Sequence, residues 1–177
     1  MTNQRIVVGI GGGIAAYKVA TVISRLVQRG HTVDCVMTAG ASHFIGSATL
    51  AALCGRPPVT DTYDSRFPLG AHIELAEQTK LLVIAPATAR IIASCALGLA
   101  DDLISTLYLA CTCPVLIVPA MSTPMWDKPA VQRNVSSLAA DGVHMVGPAS
   151  GWLSCRKQGL GRMSEPEDIL AAIEKLL

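Results

Sequence analysis

Arg5-Ile6-Val7-Val8-Gly9-Ile10-Gly11-Gly12-Gly13-Ile14-Ala15-Ala16 sets a short β-branched run against three glycines and then opens a segment with apolar residues at helical spacing. The run over 5–10 reads as a strand because β-branched side chains fit a pleated, buried surface. The periodicity over 14–29 predicts a helix, and Gly30 is a natural helix stop. Strand, glycine turn and helix in that order form the opening half of a crossover unit.

The alternation continues outward from there. Residues 32–38 read as a second strand and 42–53 as a second helix. Residues 80–85 (Lys80-Leu81-Leu82-Val83-Ile84-Ala85) and 114–118 read as two more strands, with helices over 89–97 and 102–110 between them. A helix over 127–141, a fifth strand over 143–146 and a closing helix over 166–177 complete the expectation. Strands that are apolar almost throughout, alternating with helices, predict a parallel sheet covered on both faces. The expected fold class is therefore α/β: a Rossmann-like (flavodoxin-like), doubly wound parallel sheet, forming one domain over residues 1–177. In such sheets ligands bind at the carboxyl ends of the strands. Residues 55–70, rich in Pro, Gly and Asp, are the one long connection.

Composition narrows the function. Hydrophobic residues make up 51% of the 177 and charged residues 15%, so much of the surface is expected to face protein. A net charge of +1 without a basic run argues against nucleic acid as a partner. The early apolar run is short and meets glycines, so it reads as a strand rather than a signal peptide. No apolar run reaches membrane-spanning length, and a cytoplasmic protein with no membrane partner is expected. The 6 Cys suit free thiols. Cys111 and Cys113 lack metal or redox spacing, and His31, His43, His72 and His144 stand singly, so no metal site is expected.

Gly12, Gly13 and Ile14 lie where a strand gives way to a helix N-terminus, a place that offers backbone N–H groups to an anion. A dinucleotide fold would close its second strand on a carboxylate for the ribose. Here that strand ends Met37-Thr38-Ala39-Gly40, which suits a terminal phosphate and points to a mononucleotide such as FMN.

Three further segments carry chemistry: Pro119-Ala120-Met121-Ser122-Thr123-Pro124-Met125-Trp126, Gly151-Trp152-Leu153-Ser154-Cys155, and Gly159-Leu160-Gly161-Arg162-Met163-Ser164-Glu165-Pro166. Met, Pro and Trp after a buried strand suit a pocket wall. Together these segments resemble the active-site signatures of the flavin-containing cysteine decarboxylases, a homo-oligomeric family. The resemblance extends over nearly the whole chain. It includes the glycine turn, Thr38 with Ala41 and Phe44, and Thr88-Ala89-Arg90, where the family has Asn in place of Arg90. It also includes Gly98-Leu99-Ala100-Asp101-Asp102-Leu103-Ile104-Ser105-Thr106, where the family has Asn in place of Asp102.

The resemblance implies FMN held by Gly12, Gly13, Ile14, Thr38, Phe44, Thr88, Ala89, Arg90, Ser105 and Ala120. It implies that His72, in Gly70-Ala71-His72-Ile73-Glu74-Leu75, is the catalytic base, and imidazole exchanges protons near neutral pH. Cys155 would be the proton donor of the branch that converts 4′-phosphopantothenoylcysteine to 4′-phosphopantetheine in coenzyme A synthesis. Its neighbours Arg156 and Lys157 stand where the family has Gly-Asp. Ser122, Met125 and Arg162 would contact a small thiol carboxylate, with Gly159–Pro166 as a flexible clamp.

In this chemistry the flavin oxidises CH2–SH to a thioaldehyde, so the carboxylate becomes β to a C=S group and leaves as CO2. Ser122 stands where the family has Asn. Losing a direct hydrogen bond to a charged group costs about 1.5–3 kcal/mol. Two alternatives follow: a decarboxylase of a peptide C-terminal cysteine, and a non-catalytic flavin-binding subunit. The family's homotrimers, or dodecamers built from trimers, are the expected assembly.

Overall fold

The computed structural model describes residues 3–177. Its central sheet has five strands: β1 (Arg5–Ile10), β2 (Thr32–Met37), β3 (Leu81–Ala87), β4 (Val115–Pro119) and β5 (His144–Met145). They lie in the order β2-β1-β3-β4-β5 and every pairing is parallel. This is the doubly wound, flavodoxin-like α/β arrangement expected from the alternation of elements.

Strands β1 to β4 are buried on both faces, and alternate residues serve different layers. Ile6, Val8 and Ile10 join one core with α1 (Ala16–Gln28), α2 (Ser47–Cys54) and α8 (Pro166–Leu176). Val7, Leu82, Ile84 and Ile117 join the other, with α3 (Ala71–Gln78), α4 (Ala89–Leu97), α5 (Leu103–Ala110) and α7 (Pro129–Ala140). Burying a side chain such as Ile23 or Ile104 contributes about 1.5–3 kcal/mol each before conformational entropy is counted. The buried Asp34 on β2 is paired with Arg5 at 2.7 Å and Arg56 at 3.0 Å.

Three details differ from the elements expected. The helix expected over 42–53 is instead a 3-10 turn, Ala39–His43, followed by α2. The Thr38 hydroxyl accepts from the Ala41 N–H and starts the turn early, and extended Gly46 restarts the chain. The helix expected over 127–141 is α7, shortened to Pro129–Ala140, and a further short helix, α6 (Thr123–Trp126), precedes it. Pro129 forces Lys128 out of helical geometry, to ψ 130°. The segment Gly159–Pro166, read as a clamp, begins in β7 (Gln158–Arg162), which pairs antiparallel with β6 (Ala149–Trp152) in a hairpin not expected from the sequence. In the long connection, Val59 pairs alongside Val36 and extends the β2 edge by one bridge.

Candidate active site

The loops at the carboxyl ends of β1 to β4 enclose two cavities. The larger, of about 740 Å³, is walled by Gly12, Thr38, Thr88, Arg90, Asp102 and Met125 among others. The smaller, of about 350 Å³, lies between the start of α1 and the β6–β7 hairpin, with Gly13, Lys18, Ser122, Cys155 and Arg162 in its wall. Both volumes fall within the range of small-molecule sites. They adjoin at the glycine turn, with Gly12 in the wall of the larger and Gly13 in the wall of the smaller.

Backbone packing explains that turn. A Cβ on Gly12 would lie 2.7 Å from the backbone carbon of Gly40, so the loops after β1 and β2 touch main chain to main chain. A Cβ on Gly13 would meet only Pro86 at 3.9 Å, leaving that position open. The start of α1 carries no side-chain cap. Its first N–H groups and positive dipole end sit beside the turn, which suits an anion. On the far wall Thr88 caps α4 through its hydroxyl and Asp102 caps α5 in a capping box with Ser105.

The expected cofactor positions divide unevenly between the two cavities. Gly12, Thr38, Thr88, Ala89 and Arg90 share the larger, joined by Met125 from the expected substrate set. Gly13, Ile14 and Ala120 lie in the wall of the smaller. Phe44 and Ser105 line neither. Phe44 ends the 3-10 turn and is half-exposed. Ser105 is buried, and its hydroxyl is engaged by Asp102.

The smaller cavity brings together Ser122, Cys155 and Arg162. Ser122 is the N-cap residue of α6, yet its side chain makes no cap hydrogen bond. Cys155 is exposed at the hairpin tip, beside Arg156, which sits at φ 61°. Arg162 is paired with Glu165. Glu165 also accepts from the buried Lys18 at 3.0 Å, and Lys18 reaches the Met163 carbonyl at 3.4 Å. Lys18 thereby ties the root of the hairpin to α1 and holds the Glu165 carboxyl below its ordinary pKa. The pattern of the sequence did not single out Lys18, because a lysine at helical spacing reads as a solvated position.

His72 does not join Cys155 within one protomer, and it lines neither cavity. The reason is the layering of the fold. Ala71 and Leu75 anchor α3 in one core, whereas Met163 anchors the end of the hairpin in the other, across the sheet. The His72 Nδ1 is buried without a hydrogen-bond partner. Among the described residues there is no cluster of three or more metal-ligating side chains, and no helix is long and apolar enough to cross a membrane.

Comparison with known proteins fits this architecture. The Flavoprotein family model matches residues 1–177. The coenzyme A biosynthesis bifunctional protein CoaBC of Bacillus subtilis is 42% identical over 176 residues, covering 99% of this chain and 43% of the relative. Its counterpart from Mycolicibacterium smegmatis is 44% identical over 175 residues, covering 99% and 42%. This chain thus spans less than half the length of those curated relatives. Among solved structures, the FMN-dependent cysteine decarboxylase SpaF superposes with a TM-score of 0.86 at 35% identity, covering 98% of this chain and 94% of that one. A PPC decarboxylase mutant complexed with pantothenoylaminoethenethiol gives 0.85 at 28% identity, covering 98% of each chain. On this evidence the chain belongs to the flavoprotein family, in the group of flavin-containing cysteine decarboxylases.

Proposed function

We propose that this chain is an FMN-dependent carboxy-lyase that decarboxylates a cysteine-derived thiol carboxylate, with 4′-phosphopantothenoylcysteine as substrate and 4′-phosphopantetheine as product in coenzyme A synthesis. The observation that carries the reading is one cavity shared by Ser122, Cys155 and Arg162, adjoining a second, cofactor-sized cavity at Gly12 and Gly13. The donors present fit FMN: an uncapped helix start beside Gly12 and Gly13, with Thr38 and the N-terminus of α4 across the cavity. FMN held there would supply two-electron redox chemistry, a hydride acceptor for the substrate CH2–SH group and a hydride source after decarboxylation.

The chain's own residues supply the rest. The Ser122 hydroxyl, free of capping duty, donates to the substrate carboxylate. Arg162 adds charge-assisted binding, and Lys18 keeps Glu165 from claiming all of it by sharing the same carboxylate. After CO2 leaves, Cys155 donates a proton to the carbon that carried the carboxylate, so that the adjacent sulfur-bearing carbon can take back the hydride and give the saturated thiol. Trp152 and Leu153 narrow the cavity around the reacting atoms.

His72 acts as the base that takes the thiol proton. Its separation from Cys155 within one protomer supports a homotrimer, or a dodecamer built from trimers, in which a second copy brings the imidazole to the site. The 6 free cysteines, the chemistry of a thiol substrate and the relatives' biosynthetic role support a cytoplasmic location.

The test is anaerobic incubation of the FMN-loaded protein with 4′-phosphopantothenoylcysteine, following the flavin band and CO2 together. Turnover to 4′-phosphopantetheine that Cys155→Ser interrupts is the expected result. Bound flavin that neither bleaches nor releases CO2 would overturn the reading and favour the non-catalytic subunit. Turnover only of a peptide with a C-terminal cysteine, the alternative suggested by the likeness to SpaF, would move the substrate class.

A further inference from the structure

Arg90 and Asp102 lie in one wall of the larger cavity, at the starts of α4 and α5. The Arg90 guanidinium divides between two carboxylates: Nη1 donates to Asp101 Oδ2 at 3.0 Å and Nη2 donates to Asp102 Oδ2. The other oxygen of Asp102, Oδ1, accepts from the Ser105 N–H at 2.8 Å, while the Ser105 hydroxyl oxygen accepts from the Asp102 N–H at 3.1 Å. Each oxygen of this carboxylate thus has its own task. One caps α5, and the other holds α4.

An asparagine at 102 could perform the first task through its amide carbonyl. It would turn an NH2 group toward Arg90, donor against donor. Asp102 is therefore specific to the presence of Arg90. The family signature that this chain resembles has Asn at both places, so the chain departs from it twice, with opposite charges that meet in the fold. Arg90, Asp101 and Asp102 carry a formal charge of −1 together. Two amides beside Asp101 carry the same.

We propose that Arg90 and Asp102 are a reciprocal charge exchange for a pair of amides: positioning residues that bridge the starts of α4 and α5 and leave the net charge facing the cofactor cavity unchanged. The inference rests on the FMN reading. Removing Arg90 alone leaves two carboxylates facing the cavity, which disfavours the electron-rich reduced flavin. Removing the charge of Asp102 alone does the reverse. Removing both restores the balance.

The experiment compares the parent with Arg90→Asn, Asp102→Asn and the double variant in three readouts: flavin reduction potential by dye equilibration, FMN affinity in both redox states, and melting of the apoproteins. Arg90→Asn is expected to lower the potential and Asp102→Asn to raise it. Each changes the ratio of affinities for reduced and oxidised FMN by about threefold, the scale of a half-exposed ion pair. The double variant returns to the parent's potential, and its loss of melting temperature is smaller than the sum of the singles. Potential shifts of one sign in both single variants, or additive melting losses, would overturn the proposal while FMN binding by the parent leaves the flavin reading standing. A parent that takes up no FMN overturns the flavin reading and the claim on potential together. The apoprotein cycle then decides the bridge alone: non-additive losses support it and additive losses remove it.

Discussion

Replacing Gly161 by alanine sets a methyl group against the main chain that carries Ser122. Gly161 adopts φ +138°, and a Cβ built on it lies 2.2 Å from the Met121 carbonyl oxygen and 3.3 Å from the Ser122 carbonyl carbon. Its own carbonyl accepts from the Met121 N–H at 2.9 Å, so β7 and the 120–122 loop are fastened backbone to backbone. The methyl must retreat by about 0.8 Å even to reach a 3.0 Å contact, and no flexible side chain is there to give way. Strain at such a φ and overpacking each cost on the order of 1–3 kcal/mol, so we expect a loss of about 2 kcal/mol or more. For a chain of this length that is a fall in Tm of roughly 4–8 °C. Turnover should fall further, by about 100-fold, because the hairpin carries Cys155 and a displacement near 1 Å is enough to spoil a reacting geometry. FMN affinity should fall less than turnover, since Gly161 lines the smaller cavity with Gly13, Ile14 and Ala120 but not the larger one with Thr38, Thr88 and Arg90. Gly30→Ala is the control: φ is +87°, but nothing lies within 4 Å of the added methyl, so it carries strain without a clash. Differential scanning calorimetry and single-turnover CO2 release provide the assay. A Gly161→Ala protein with the parent's Tm and turnover would refute the contact and the role given to the hairpin.

Two further expectations concern titration. Lys18 donates to both oxygens of Glu165 at 3.0 Å and, with Arg162 nearby, holds that carboxyl below its ordinary value of 4.5. A depressed folded pKa contributes stability that is complete above the unfolded value and is lost as pH falls through the folded one. Glu165→Gln should therefore flatten the acid limb of stability against pH, read by urea unfolding from neutrality downward; an unchanged limb would remove the pair from the account. Separately, the Cys111 thiol donates to Cys113, drawing the Cys113 thiol down to about 7 and pushing Cys111 upward. Near neutral pH iodoacetamide should reach Cys113 first, and Cys111→Ala should move its alkylation midpoint to higher pH. Equal labelling of both thiols in mass spectra would contradict that.

The parallel sheet was legible because buried strands such as 81–87 and 115–119 are apolar throughout, and helices with glycine stops separate them. Boundaries failed where a side chain or a proline overrode periodicity, as Thr38 and Pro129 show. The hairpin was invisible for a different reason. Ala149–Trp152 and Gln158–Arg162 hold three glycines and little β-branched character, so propensity speaks against strands. Those glycines exist for contact. A Cβ on Gly159 would strike the Thr123 side chain at 2.4 Å, and one on Gly151 would meet Arg162 at 2.9 Å. Site residues carried by loops after strands could be placed from sequence. Partnerships such as Lys18 with Glu165, or Arg90 with Asp102, join positions whose proximity only the fold creates.

The glycine turn itself has a stricter cause than phosphate binding. A Cβ on Gly11 would lie 2.3 Å from the Pro86 carbonyl oxygen and 2.7 Å from Ile91, while one on Gly12 would press on Gly40. The turn is thus clamped between the ends of β2 and β3, with Gly12 facing the larger cavity and Gly13 the smaller. Any side chain at 11 or 12 would lift the turn away from Pro86 or Gly40 and carry the N-terminus of α1 with it. Anion binding alone would accept small side chains at one of these places; contact on both sides accepts none.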